Sequence, residues 1–163
     1  MDSLAEVKEL LKNPKHLGKA LETLLQDNKN LRKQIEELQL AQAQAEKGEL
    51  VKNATQLNGF MFVGAKISVA DKDAMKQLAI EICNDLGDTV VVLGAEDGKK
   101  ASLIVYMPRE LAESKSLHAG KMIKTIAKEI KGGGGGQPFF ATAGGKNPAG
   151  IQNAINKALE LLN

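Results

Sequence analysis

The sequence predicts an α+β or α/β protein in which a long coiled-coil-like helical segment precedes a compact globular domain. Leucines recur every seven positions from residue 17 to residue 38. Beyond residue 48, short β-branched runs alternate with segments whose apolar residues recur at helical spacing. We therefore expect a helical dimerisation or linker region over residues 1–48. Residues 49–163 should form one domain, a sheet of about four strands backed by about three helices.

The N-terminal region contains a short amphipathic helix and a long one. Asn13-Pro14 ends the first, because proline suits the first position of a new helix. The second helix is predicted to run from there to about Lys47, just before Gly48.

The long helix carries a heptad seam. One heptad position holds four leucines and the other holds Asn28, a residue that at such a position often fixes the register of a two-stranded coil. We define the heptad seam as Leu17, Leu21, Leu24, Asn28, Leu31, Ile35 and Leu38. It favours a homodimer, although an intramolecular helical hairpin or docking on the globular domain would also bury it.

The globular domain begins with a β, α, β, β order. Strands are predicted at Phe60–Ile67, Thr89–Leu93 and Ala101–Met107, with a helix from Asp71 to Leu86 after the first of them. A looser stretch over residues 109–117 precedes a helix that ends near Lys131. A strand predicted at Gln137–Thr142 and a final helix starting at Asn147-Pro148 complete the domain.

Composition argues against most kinds of chemistry. The single cysteine, Cys83, excludes an internal disulfide framework and a cysteine-rich zinc site, and it is expected to be a small buried hydrophobe. His16 and His118 lie far apart, and no metal-binding, nucleophile-elbow, Walker or dinucleotide motif occurs. No apolar run reaches the ~20 residues that a membrane-spanning helix needs. We expect a soluble, cytoplasmic binding protein without catalytic or metal-ligating residues.

Positive charge is concentrated in the last third of the chain. Residues 98–163 hold 10 Lys or Arg against 4 Asp or Glu, whereas the whole chain has a net charge of +2. Four lysines lie opposite the apolar stripe of the predicted helix before Lys131, namely Lys121, Lys124, Lys128 and Lys131. This lysine row indicates a polyanionic partner, although a solvated helix surface would look the same.

The glycine run that follows is the most unusual stretch of the sequence. Gly132, Gly133, Gly134, Gly135 and Gly136 bury no side chain and lose much conformational freedom on ordering. A flexible linker is one interpretation. The apolar residues Phe139 and Phe140 follow at once, which favours a structured turn whose amide groups bind an anion.

This stretch resembles the signature near the end of alanyl-tRNA synthetases, in which a glycine string, a basic residue, proline and two variable positions precede A-x-A-G-G. Here the string is followed by Gln137-Pro138, then by Phe139-Phe140 and Ala141-Thr142-Ala143-Gly144-Gly145. Gln137 replaces the usual arginine. The resemblance extends over nearly the whole chain, including the heptad helix and the Ala119-Gly120 helix entry. A related domain ends the DHH-family phosphoesterases.

The resemblance implies a C-terminal region of alanyl-tRNA synthetase, an ATP-dependent alanine-tRNA ligase of protein biosynthesis. The parent's catalytic domain, which uses ATP and Mg, and its zinc-bearing editing domain are absent, so this chain alone should have no cofactor and no catalysis. By family analogy, the helical part mediates self-association. The globular part binds the outer corner, or elbow, of tRNA and couples aminoacylation with editing.

The residues assigned to tRNA on this basis combine cations, bare backbone and a stacking surface. They are Lys121, Lys124, Lys128, Lys131, Gly132, Gly133, Gly134, Gly135, Gly136, Gln137, Phe139 and Lys146, with Lys99, Lys100, Arg109 and His118 as secondary candidates. Two alternatives stay open at this point. One is the nucleic-acid-binding domain of a DHH-type phosphoesterase, and the other is a non-catalytic coiled-coil assembly module.

Overall fold

The computed structural model describes residues 3–163. Contacts divide the chain into two units, one reaching Leu38 and the other running from Gln39 to Asn163. In the first unit, helix α1 spans Ser3–Leu10 and helix α2 begins at Leu17. Helix α2 extends to Lys52. It begins three residues later than predicted from Pro14, and Gly48, before which it was predicted to end, lies inside the helix.

The second unit contains one mixed six-stranded sheet, with two strands more than predicted. Its strands are β1 (Thr55–Gln56), β2 (Met61–Ile67), β3 (Thr89–Asp97), β4 (Lys100–Tyr106), β5 (Gly132–Gly136) and β6 (Phe140–Gly145), in the order β1-β2-β3-β4-β6-β5. Strand β1 has only two residues, too few to leave a periodic pattern. Strand β5 is the glycine run, whose composition disfavours a strand.

One pair of strands is parallel and the others are antiparallel. Strands β2 and β3 run parallel, with Val63 opposite Val91. The connection between them includes helix α3, as parallel pairing requires. Strands β3 and β4 form the hairpin predicted at Asp97-Gly98, with Leu93 opposite Ile104. Strand β6 then pairs with β4, and β5 lies beyond it at the sheet edge.

The remaining helices follow sequence signals that are mostly local. They are α3 (Lys72–Leu86), α4 (Arg109–Ser114), α5 (Ala119–Ile126) and α6 (Ile151–Leu162), the last preceded by a 3-10 turn at Pro148–Gly150. Helix α3 begins after Asp71, whose side chain accepts a hydrogen bond from the Ala74 amide at 2.9 Å. It ends at Gly87, where φ is 81°.

The sheet is covered on both faces. One core cluster joins the sheet to α5 and α6 and includes Val90, Val92, Leu103, Val105, Ile123, Ile126, Ile151 and Ile155. The other joins it to α3 and the C-terminal part of α2 and includes Ala43, Val63, Met75, Leu78, Ile82, Val91, Leu93 and Ile104. The alternation of Val90 to Leu93 between the two clusters explains why this strand is apolar throughout.

Polar contacts hold the end of α2 against α3. The Lys47 ammonium lies 3.0 Å from an Asp85 carboxylate oxygen and 3.4 Å from one of Glu81. Gln44 donates a hydrogen bond to Glu81 at 2.7 Å, which lowers the pKa of that carboxyl from its ordinary value. Hydrogen bonding to Asp85 raises the pKa of Lys47. Glu46 also accepts hydrogen bonds from the Ser68 amide and hydroxyl.

Cys83 is a buried core residue, as the sequence predicted. Its thiol lies in the cluster between α3 and the sheet, 3.4 Å from the Thr89 carbonyl oxygen. Burial raises the pKa of Cys83 to about 12, so the thiol is protonated at neutral pH. Among residues 3–163, no group of His, Cys, Asp and Glu is arranged to hold a metal ion. No helix in this range is both long enough and apolar enough to span a bilayer.

Candidate nucleic-acid interface

The glycine run forms an edge strand, so the predicted anion-binding turn is wrong. Gly132 pairs with Gly145 and Gly136 pairs with Ala141 in an antiparallel ladder. Successive amides of a strand point in opposite directions, whereas an anion-binding concavity needs successive N–H groups that converge. The strand remains accessible, because four of its five residues are exposed and only Gly135 is half-buried.

Three of the five glycines are required by the closeness of strand β6. A Cβ atom added at Gly132, Gly134 or Gly136 would lie 2.0, 2.2 or 2.4 Å from a carbonyl oxygen of the neighbouring strand. Such distances lie far inside van der Waals contact, so no side chain fits there without moving backbone. The fold itself therefore explains the absence of side chains at these alternate positions.

Gly133 and Gly135 differ from their neighbours because a side chain would fit. A Cβ atom at Gly133 would have no heavy atom within 4 Å, and at Gly135 the nearest would be the Lys124 Cε atom at 3.8 Å. Neither residue has a positive φ angle. Packing within the chain does not explain why these two positions are glycine, and this leaves bare peptide beside a lysine.

Helix α5 lies beside the glycine strand and is hydrogen-bonded to the segments at both ends of it. The Ala119 and Gly120 amides donate to the carbonyls of Pro138 and Gln137 at 2.7 and 3.2 Å. At the other end, the Gly132 amide donates to the Ala127 carbonyl at 3.0 Å. Buried Ile123 and Ile126 fix the opposite face of α5 in the core. The lysines of α5 are thereby held next to β5.

Gly120 has a packing role that the sequence analysis did not assign. A Cβ atom there would lie 2.6 Å from the Gly136 carbonyl oxygen. The backbone at the start of α5 therefore lies so close to the glycine strand that no side chain fits at residue 120. The Ala119-Gly120 pair was the available sequence signal. A glycine in the first turn weakens a helix, so its presence there indicates a packing requirement.

The lysine row does not lie on a single helix, which corrects the prediction. Helix α5 ends at Ile126, and residues 127–131 form turns. Lys121 and Lys124 are on the helix, whereas Lys128 and Lys131 are on the turns that lead into β5. All four side chains are exposed. Lys131 has a φ of 51°, a left-handed conformation that is unusual for lysine.

The sheet register places two further predicted lysines, Lys100 and Lys146, at the same end of the sheet as Lys131. Ala101 of β4 pairs with Gly145 of β6, which in turn pairs with Gly132 of β5. The next residue outward on these three strands is a lysine in every case. We call Lys100, Lys146 and Lys131 the lysine rung. Lys99 lies one residue further along the β3–β4 hairpin.

The site lysines have no acidic partners in the part of the chain that the structure describes. None of Lys99, Lys100, Lys121, Lys124, Lys128, Lys131 and Lys146 lies in an ion pair, and all are exposed. By contrast, Lys66 pairs with Glu96 at 3.0 Å and Lys157 pairs with Glu129 at 3.5 Å. Positive charge around β5 is therefore uncompensated, which favours an anionic ligand.

The predicted polar and aromatic residues lie beyond the other end of β5. Gln137 is exposed, and His118 caps helix α5, its Nδ1 accepting from the Lys121 amide at 3.3 Å. The Phe139 ring packs against the core, with the Arg109 guanidinium 4.2 Å from its centroid. Phe140 instead contacts Tyr106 and belongs to the opposite face of the sheet. The planar groups at this end are thus the Arg109 guanidinium and the Phe139 ring beneath it.

Most of the heptad seam is exposed on α2. Leu21, Leu24, Leu31, Ile35 and Leu38 have 39, 51, 57, 52 and 70% of their surface exposed, and Leu17 is half-buried. Asn28 accepts a hydrogen bond from Arg32 Nε at 2.9 Å within the helix. Exposed leucines on one helix stripe indicate a surface that another helix can cover.

Comparison with known proteins identifies the family. The DHHA1 domain model matches residues 59–163. An alanine-tRNA ligase of Christiangramia forsetii is 41% identical over 155 residues, which cover 95% of this chain and 18% of that protein. One from Cytophaga hutchinsonii is 37% identical over 160 residues, which cover 98% and 18%. The chain thus spans about a fifth of the length of these relatives.

A solved structure shows the same fold. The C-Ala domain of Aquifex aeolicus alanyl-tRNA synthetase aligns with a TM-score of 0.61 at 24% identity, over 68% of this chain and 97% of that domain. The resemblance to the C-terminal domain of alanyl-tRNA synthetases, first seen in the glycine string and A-x-A-G-G, is confirmed. Since the family model covers well over half of its residues, this chain belongs to the DHHA1 domain family.

Proposed function

We propose that this chain is the C-terminal region of an alanyl-tRNA synthetase and that it binds the elbow of tRNA without catalysing a reaction itself. The observation that carries the proposal is the group of exposed, unpaired lysines around a side-chain-free edge strand. Folded tRNA presents dense phosphate at its surface, and such a basic surface complements it. In the parent enzyme, binding there would hold one tRNA for both aminoacylation and editing.

Each part of the surface has a distinct role in this proposal. Lys121, Lys124 and Lys128 contact phosphates, while Gly133 and Gly135 let the RNA backbone reach the peptide. Gln137 provides a neutral hydrogen-bonding group, and Arg109 stacked on Phe139 offers a plane for a base. ATP, Mg and Zn belong to other domains of the parent, and the complex operates in the cytoplasm.

The first test is a titration of the full chain with total tRNA at several salt concentrations. We expect binding that weakens steeply with salt, because each phosphate contact releases counterions. Changing Lys124→Ala together with Lys128→Ala should reduce the slope of log K against log salt by about two. A matched control, Lys52→Ala with Lys72→Ala, removes the same charge from α2 and α3 and should keep the wild-type slope.

The outcome also separates the alternatives. An unchanged slope in the Lys124 and Lys128 variant would remove these residues from the site. Tighter binding of short single-stranded oligonucleotides than of folded tRNA would favour a phosphoesterase-type substrate domain. No binding of any RNA at low salt would leave only the assembly role.

We further propose that the chain forms a homodimer through the heptad seam. The support is the exposure of the seam leucines and the asparagine within the seam at Asn28. Leu31→Lys places a charge on the seam and should give a monomer in sedimentation equilibrium at tens of micromolar. Leu40→Lys is the control, because Leu40 is similarly exposed, at 52%, but lies off the seam. A monomeric wild-type chain would contradict the proposal.

A further inference from the structure

The lysine rung places three like charges at the same end of three adjacent strands. Lys100, Lys146 and Lys131 are the chain neighbours of Ala101, Gly145 and Gly132, which lie opposite one another on the three strands. Neighbouring strands lie about 4.8 Å apart, so the three backbones are close even though the side chains are long. Like charges held near one another repel, which is unfavourable for the free protein.

The chain does not relieve this repulsion. Asp97 is opposite Lys100 on the other side, yet within residues 3–163 no carboxylate lies in ion-pair distance of any rung lysine. The same hairpin does compensate a neighbouring lysine, because Lys66 is paired with Glu96 at 3.0 Å. Three lysines without an ion pair therefore meet at the end of the sheet that continues into β5.

The backbone conformation of Lys131 is also unfavourable. Its φ of 51° lies in the left-handed region, where glycine is the least strained residue. Five glycines follow it directly, yet this position is a lysine. The chain thus accepts both a strained backbone and an uncompensated charge at one point.

We infer that the lysine rung is a second phosphate-binding cluster, which grips the RNA backbone at the sheet end while the lysines of α5 hold it alongside β5. The inference rests on the proposed function and adds to it a trade-off between the stability of the free protein and its affinity for RNA. The rung lowers the stability of the free protein, and the bound polyanion restores what repulsion costs.

The test therefore uses two readouts on the full chain, thermal stability without RNA and the salt slope of tRNA binding. Lys100→Ala with Lys146→Ala should raise the melting temperature by about 1–3 °C, because like-charge repulsion is removed. The same variant should lose about two units of salt slope. Lys131→Gly should also melt higher, because strain is relieved, and should lose about one unit of slope.

Controls separate charge from position. The Lys52→Ala and Lys72→Ala variant should leave the salt slope unchanged. Lys100→Arg with Lys146→Arg keeps both charges and should retain the wild-type slope and melting temperature. This conservative pair still tests the inference if the alanine variant fails to fold, since a lost slope with arginine would contradict phosphate binding through charge.

Different results would contradict the lysine rung and the proposed function. If wild-type protein binds tRNA and the Lys100 and Lys146 alanine variant keeps its full slope, the rung does not contact RNA and this inference alone is wrong. If wild-type protein does not bind tRNA at low salt, the proposed function fails and the inference fails with it. A variant that binds less but melts lower than wild type would overturn the trade-off.

Discussion

The glycines of β5 perform two different tasks that alternate along the strand. Gly132, Gly134 and Gly136 are needed because β6 leaves no space for a side chain, whereas Gly133 and Gly135 leave room for one. Substitution at adjacent positions should therefore have opposite consequences for stability and for binding.

This alternation gives a matched pair of variants. Gly134→Ala should lower the free energy of unfolding by about 1–3 kcal/mol, because its Cβ meets the β6 backbone at 2.2 Å. Gly133→Ala should change it by less than about 1 kcal/mol and could even stabilise the fold by reducing the entropy of the unfolded chain. Urea denaturation of the two variants measures the difference. Equal losses at both positions would contradict the steric assignment.

The sequence revealed which residues are unusual here, but it did not reveal the conformation they adopt. Glycine has low strand propensity, so five in succession predicted a turn. Strand β5 exists because β6 supplies hydrogen bonds along its length, and that pairing depends on residues outside the run. A local pattern contains no information about this neighbour.

At the level of elements, helix α5 shows how an apolar stripe can be misread. Met122, Ile123, Ile126, Ala127 and Ile130 recur at helical spacing, and all five are buried. Only the first three lie on the helix, since it ends at Ile126 and the chain continues in turns. Burial explains the apolar residues equally well in either conformation, so periodicity predicted the buried face but not the helix end.

Helix α3 was predicted more accurately because its limits are local. The structure begins it at Lys72 after Asp71 and stops it before Gly87, close to the predicted range of Asp71 to Leu86. A capping carboxylate and a glycine with positive φ are encoded in adjacent residues. Where the sequence itself supplies the hydrogen-bonding partner, it also fixes the boundary.

The cap of α3 provides a test at this scale. Asp71→Ala removes the acceptor for the Ala74 amide and should destabilise the second unit by about 1 kcal/mol. Asp71→Asn retains an acceptor and should lose much less. Asp73→Ala is the control for charge, because Asp73 lies in the first turn without capping. Thermal denaturation distinguishes the three, and an equal loss for Asp71→Ala and Asp71→Asn would argue against a capping role.

Across the whole molecule, two units with different proposed partners should respond to different additions. The unit ending at Leu38 contains the heptad seam, and the unit from Gln39 contains the lysines around β5. If each partner binds only the folded form of its own unit, mass action raises the stability of that unit.

Thermal unfolding monitored at several concentrations should separate these effects. Raising protein concentration should shift the helical transition upward, because association stabilises the coil. Adding tRNA at about 100 times its Kd should contribute about 2.7 kcal/mol to the second unit, and added salt should diminish that gain. Hydrogen–deuterium exchange measured by mass spectrometry on peptides of each unit follows the two transitions separately. If the first transition did not shift with protein concentration and the second did not shift with tRNA, both proposals would be contradicted.

The outermost strand β5 has no side chains of its own that would discourage pairing with a foreign strand. Natural edge strands commonly discourage pairing with a foreign strand through lysine, proline or a bulge pointing along the margin. In β5 the protection comes from the low strand propensity of glycine. A foreign strand that paired with this edge would have to keep five glycines extended, which costs conformational entropy. The low strand propensity of this edge therefore makes it a poor template for amyloid growth.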